Sequence, residues 1–192
     1  MTSTTAPLTN PRQQLSERQR ATIVTLLDGG LDELRDHGYD QLSLRKVAVR
    51  AGVTHTTAYS YFTSKAHLVA EIYWSLLQGM PAVQPDLTVH RADRISRALE
   101  APALVLADEP ALAQAALAAL LSTDIEVQRL RTSIGVALAD RVVTALGPAT
   151  DPDVIDAVLL AFSGAMLQAG MGYFDFAGVV ERIHTLAALL PE

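Results

Sequence analysis

Between Asp40 and Glu71 the chain carries no acidic residue, and within that window its small and apolar residues follow the spacing of two short helices joined by a tight turn. With Leu44 as the first position, Val47 and Ala51 fall on the face between the helices, and Ala48 falls where they cross most closely. Gly52 supplies the left-handed turn residue, Val53 is buried just after it, and Ala58 and Tyr61 take the later packing positions. Ser43 and Thr54 stand where each helix needs a capping hydroxyl. This is the order of a helix-turn-helix. A plain helical hairpin also needs a glycine turn and apolar contacts, so the pattern alone leaves that alternative open.

Helix signals extend along the whole chain. Ser16 with Gln19 forms a capping box for a first helix, whose apolar stripe is Ile23, Leu26, Leu27, Leu31 and Leu34 and whose end is at His37-Gly38. Gly29 and Gly30 lie inside it and are a place for a kink. Ser64 caps a fourth helix through Leu68, Ile72 and Leu76 to about Gly79, after which Pro81 and Pro85 mark a boundary. Residues 88–107 read as an amphipathic stretch interrupted by Pro102, and Asp108-Glu109-Pro110 as the start of a helix over 110–121. Thr123 with Glu126 reads as a capping box for a helix to about Leu146, and Asp151-Pro152-Asp153 opens another to about Gly170. Residues 176–190 make the last. The expectation is an all-α chain of nine helices: a tail over 1–15 without fixed structure, a helix-turn-helix domain over 16–80, and a helical domain over 81–192.

Composition agrees. Apolar residues make up 49% and aromatics 5%, an aliphatic, alanine-rich mixture that favours helix packing over a β-sandwich. The absence of cysteine removes disulfides, cysteine nucleophiles and thiolate metal sites. His67, His90 and His184 lack ligand spacing, so neither a metal nor a cofactor is expected. Met1 to Asn10 resembles no secretory signal, and no stretch of about 18 uninterrupted apolar residues occurs, so a cytoplasmic protein without a membrane span is expected.

The net charge of −6 argues against nucleic acid, but its distribution along the chain argues the other way. Residues 1–80 hold eight Lys and Arg against seven Asp and Glu, while 81–192 hold seven against fourteen. Arg45, Lys46, Arg50 and Lys65 all fall in the acid-free window, a local basic patch on an acidic chain. The second short helix begins His55-Thr56-Thr57 and continues Tyr59-Ser60-Tyr61, short polar groups suited to base edges in a major groove. The expected DNA-contacting set is Arg45, Thr54, His55, Thr56, Thr57, Tyr59, Ser60, Tyr61 and Lys65. Against that reading, Tyr61 serves equally as core, His55 as a solvated helix tip, and Lys65 as a surface charge.

The run Gly38 to Ala48, then Ala51-Gly52-Val53-Thr54, then Thr57 to Lys65, resembles the DNA-binding domain of TetR-family regulators. The resemblance covers residues 16–80, and beyond them extends only to helix order and length. It implies base contacts for Arg45 and Thr56, and phosphate contacts for Thr57, Tyr59, Tyr61 and Lys65. Gly29-Gly30 and Ala58 depart from the family's pattern, and the recognition helix lacks the Arg, Asn and Gln best suited to bidentate base reading. DNA shape or contacts outside that helix then carry more of the specificity.

The resemblance further implies a homodimer through 152–171 and 176–190, bound to an inverted-repeat operator. Leu160, Gly164, Leu167 and Met171 recur at helical spacing, as do Ile183, Leu186, Ala187 and Leu190, though such stripes also serve intramolecular packing. A hydrophobic effector is expected among the helices from 88 to 174. Its expected lining is Leu104, Gln114, Leu117, Leu121, Ile134, Phe162, Met166, Tyr173 and Phe174, with Leu120, Gln128, Ser133 and Gln168 nearby. The function expected is a ligand-released repressor. Activation by the same fold, and a helical ligand-binding module without DNA binding, are the alternatives. No nucleophile elbow, phosphate loop or acid-base pair suggests an enzyme.

Overall fold

The computed structural model describes residues 16–189; the tail read at 1–15 and Leu190 of the last stripe lie outside them. The described residues form nine helices and no strand: α1 Glu17–Gln41, α2 Leu44–Arg50, α3 His55–Tyr61, α4 Lys65–Gln78, α5 Arg91–Ala107, α6 Pro110–Leu120, α7 Ile125–Leu146, α8 Pro152–Gly170 and α9 Gly178–Leu189.

The first four helices start where the hydroxyls are. The Ser16 hydroxyl accepts the Gln19 amide and the Gln19 side chain accepts the Ser16 amide, closing the capping box. Ser43, Thr54 and Ser64 accept the amides of Lys46, Thr57 and His67 in the same way. Each such cap contributes about 1 kcal/mol, a large share of what a seven-residue helix such as α2 or α3 can muster alone. At α7 the cap is one residue later than the expected Thr123: Asp124 is the N-cap, its carboxylate accepting the Glu126 amide at 3.0 Å. Glu109 makes no capping bond before α6, because its carboxylate takes Arg35 of α1 instead.

Two expected interruptions do not occur. Gly29 and Gly30 are regular and buried; the non-helical residue of α1 is Gly38, at φ +72°. A Cβ on Gly29 would lie 3.6 Å from Ala51, the C-cap of α2, and one on Gly30 would lie 3.0 Å from Ile72 and Leu68 of α4. Gly30 therefore admits α4 close against α1, whereas a side chain at Gly29 would make only ordinary contact. Likewise α5 runs through Pro102, which has no amide for the Ala98 carbonyl; Arg141 Nε of α7 donates to that carbonyl at 2.8 Å.

One hydrophobic cluster extends from Ile23 of α1 to Ala187 of α9. Helix α4 is its hinge-pin: it packs on α1, α6 and α7, and its residues from Ala66 to Tyr73 are all buried. Helices α5 and α9 pack together, and α8 lies against α9, α7 and α6. By contrast α8 is apolar, yet among its 19 residues Val158, Phe162, Ala165, Met166 and Ala169 are the buried ones.

Candidate nucleic-acid interface and effector cavity

Helix α2 crosses α3 through Val47, Ala48 and Ala58, each at most 1% exposed, so the small residues sit at the contact as their spacing implies. Gly52 makes the turn at φ +66°, where any side chain is strained, and the Val53 amide then bonds the Ala48 carbonyl at 3.0 Å. This packing turns His55, Thr56, Tyr59 and Ser60 outward, and Tyr59 is 56% exposed.

Of the remaining expected contacts, Thr54, Thr57, Tyr61 and Lys65 are already engaged within the chain. Thr54 caps α3, and the Thr57 hydroxyl lies 2.9 Å from the Thr54 hydroxyl. Lys65 Nζ donates to the carbonyls of Tyr39 (2.9 Å) and Asp40 (3.4 Å) and stands 4.4 Å over the Tyr39 ring. Tyr61 is half-buried against the core. The basic patch is also thinner than its residue count. Arg50 bonds Glu33 and Asp36, and the Asp36 bond first holds its guanidinium protonated. Lys46 donates to the Gln41 carbonyl and lies 3.7 Å from the buried Glu33 carboxylate. Arg45 is exposed and makes neither a hydrogen bond nor an ion pair among the described residues. Arg18, which the motif spacing does not single out, lies beside Thr54, Thr57 and Tyr61 in a shallow groove between α1 and α3. Only the folded chain brings it there.

The second site is a cavity of about 370 Å³ between α4, α6, α7 and α8. Of the expected lining residues, Leu117, Leu121, Ile134, Phe162 and Met166 face it, and Leu120 does too. Leu104, Gln114, Tyr173 and Phe174 do not: Gln114 and Tyr173 are solvent-exposed, and Phe174 stacks under the Arg182 guanidinium at 3.6 Å. Gln128 and Ser133 bond carbonyls of their own neighbourhood at Thr123 and Arg129. Residues not anticipated include Tyr73 of α4, Leu106 of α5, Arg131 and Leu138 of α7, and Ser163 and Leu167 of α8. Tyr73 is 4% exposed, and burial pushes its phenol above the ordinary 10.0.

Residues 26–72 match the family model described as bacterial regulatory proteins, tetR family. An uncharacterized HTH-type transcriptional regulator of Mycobacterium tuberculosis is 39% identical over 177 residues, 91% of this chain and 83% of that one. The chain belongs to the TetR family. It is thus a DNA-binding transcriptional regulator, and the same identity and coverage hold for a counterpart named alike in Mycobacterium bovis. Among solved structures, a TetR regulator from Rhodococcus sp. RHA1 shares the fold with a TM-score of 0.73 at 22% identity, over 92% of this chain and all of that one. TylP of Streptomyces fradiae, titled a TetR regulator, matches with a TM-score of 0.57 at 22% identity, over 89% of this chain and 86% of its own.

In this TetR-family chain the helix-turn-helix and the cavity are joined through one carboxylate. Asp124 Oδ2 accepts the hydroxyls of Thr63 at 2.7 Å and Ser64 at 2.6 Å, in the turn between α3 and α4, while Oδ1 caps α7. The Ser64 hydroxyl thus donates to Asp124 and accepts the His67 amide at 3.0 Å, while His67 Nδ1 accepts the Thr63 amide at 3.1 Å. Burial alone would raise the Asp124 carboxyl, but the Ser64 and Thr63 hydroxyls, the Glu126 amide and nearby His67 bring it below its ordinary 3.8. A second tie is the Arg35–Glu109 pair between α1 and the start of α6.

Proposed function

We propose that this regulator binds an inverted-repeat operator as a homodimer, represses transcription there, and is released when a mainly apolar effector fills the cavity between α4 and α8. The observation that carries the DNA-binding mode is the outward face of α3, with His55, Thr56, Tyr59 and Ser60 exposed beside Arg45 and no acid between Asp40 and Glu71. Thr56 and Arg45 read bases, and Tyr59 holds phosphate. Thr54, Thr57 and Tyr61 set the position of α3. Lys65 reaches phosphate with the donor left after its two carbonyl bonds.

Dimerisation is supported by the face α8 leaves uncovered. Leu160 is 77% exposed, Leu167 43% and Met171 62%, on one stripe with Gly164, where a Cβ would meet nothing within 4 Å. With α9 alongside, two copies make a four-helix seam, and two-fold symmetry sets the recognition helices about one DNA turn apart. The effector acts by differential affinity for two placements of the heads. Helix α4 is the element that feels both, since Tyr73 lines the cavity and Ser64 begins the helix below α3.

Footprinting of the purified protein on DNA flanking its own gene tests this reading. A protected inverted repeat is expected, with log affinity falling against log salt at a slope of about −7 for roughly eight neutralised phosphates. Absence of any saturable, salt-sensitive binding would leave the helical ligand-binding module as the better reading. A footprint that raises transcription from the adjacent promoter would replace repression by activation.

A further inference from the structure

The cavity carries more information than its apolar walls. Its residues include no carboxylate and one charged group, Arg131, which is exposed. The Arg131 guanidinium is held across the gap between α6 and α7 by a 2.8 Å bond from Nη1 to the Leu120 carbonyl. That bond uses one of five guanidinium donors, and Arg131 makes no ion pair among the described residues. At the inner end, Tyr73 is nearly enclosed, and its hydroxyl has no hydrogen-bond partner among the described residues. Between them lie Leu117, Ile134, Leu138, Phe162 and Met166.

We infer that the cavity takes an amphiphilic organic acid, its carboxylate on Arg131 at the rim, its apolar body along α7 and α8, and an uncharged oxygen acceptor on Tyr73. This rests on the cavity being the effector site. A volume of about 370 Å³, at the ~30 Å³ share of a liquid water molecule, admits roughly a dozen non-hydrogen atoms. An amine meets a like charge at the rim with no acid to offset it. A hydrocarbon leaves the Tyr73 hydroxyl desolvated and unpaired, the costly outcome for a buried polar group. The guanidinium fork is shaped for a carboxylate, and its position at the rim lets the acid keep part of its water.

Calorimetry on the full chain with 4-phenylbutanoate, 4-phenylbutanol and 4-phenylbutylamine isolates the head group on a constant body. The acid binds tightest, about fivefold over the alcohol, as a partly exposed ion pair allows; the amine binds weakest. Arg131→Met makes acid and alcohol equal while leaving the alcohol unchanged, and Arg131→Lys restores part of the preference. A methoxy group para on the ring of the acid tightens binding to the wild type, and Tyr73→Phe abolishes that gain while keeping the acid-to-alcohol ratio. Alcohol or amine binding as tightly as the acid overturns the inference, as does failure of all four compounds to bind. Ile134→Trp, at a buried position whose side chain already faces the cavity, separates the two levels. If it leaves acid binding intact, the ligand sits elsewhere and the cavity reading falls as well. If the acid binds as described but leaves the operator mobility shift unchanged, the specificity stands and the effector role falls.

Discussion

Three glycines of α1 differ in what they cost to replace. At Gly30 the obstacle is packing: Ile72 and Leu68 already stand 3.0 Å from the missing Cβ. Gly30→Val overpacks α1 against α4 and destabilises by about 1–3 kcal/mol, measured by urea unfolding. At Gly38 nothing lies within 4 Å, but φ is +72°, so Gly38→Ala costs about 1–2 kcal/mol through the backbone alone. At Gly29 the nearest atoms are at an ordinary 3.6 Å and the conformation is helical, so Gly29→Ala is neutral or stabilises by up to about 1 kcal/mol. If all three substitutions destabilise alike, this division of causes is wrong. The sequence shows that Gly29-Gly30 is unusual in a helix. It does not show that Gly30 is the constrained one, because the reason lies on α4, whose approach is set by the fold and not by neighbours in the chain.

Between elements, polar side chains complete backbone groups that their own helices leave open. Arg141 serves the Ala98 carbonyl that Pro102 cannot reach. Arg141→Ala therefore costs about 1–3 kcal/mol, and in a Pro102→Ala background, where an amide is restored, the cost shrinks; a double-mutant cycle in urea reads the coupling. Asp124 binds the α3–α4 turn as a carboxylate. Its folded value lies below the unfolded one, so the unfolded state takes up the proton first as pH falls. The contribution is complete above the ordinary carboxylate range and disappears in acid. Asp124→Asn should cost about 1 kcal/mol at pH 7, and the gap to wild type should close as pH falls below about 4. A gap that persists in acid would show that shape, not charge, makes the tie. Caps at Ser16, Ser43, Thr54 and Ser64 were legible because a cap is settled within three residues. Neither of these bridges was, since their partners are 43 and 60 or 61 positions apart. The same holds for the cavity: a helical stripe shows that Leu117 and Phe162 face inward, but not that the cavity excludes Leu104 while Tyr73 and Arg131 line it.

At the scale of the whole molecule, charge is separated: residues 81–192 carry most of the acid. In the proposed complex, affinity then depends on a small basic face, further reduced where Glu33 and Asp36 occupy Arg50 and Lys46. Substituting Arg45 with Ala should therefore weaken operator binding more than Lys46→Ala, because Arg45, unlike Lys46, has no partner among the described residues; quantitative mobility shifts at one fixed salt concentration decide it. Leu160→Asp, on the open stripe of α8, should convert the proposed dimer to monomer in sedimentation and abolish tight operator binding while leaving helical content unchanged. Helix α8 has a further effect. In the proposed dimer a helix this apolar, whose buried residues inside one chain are Val158, Phe162, Ala165, Met166 and Ala169, ties folding to mass action: its most favourable burial lies against the second copy. The melting temperature should then rise with protein concentration. A cell holding few copies of this regulator would have less of it folded as well as less of it on DNA, so abundance itself becomes one of the inputs that the protein reports.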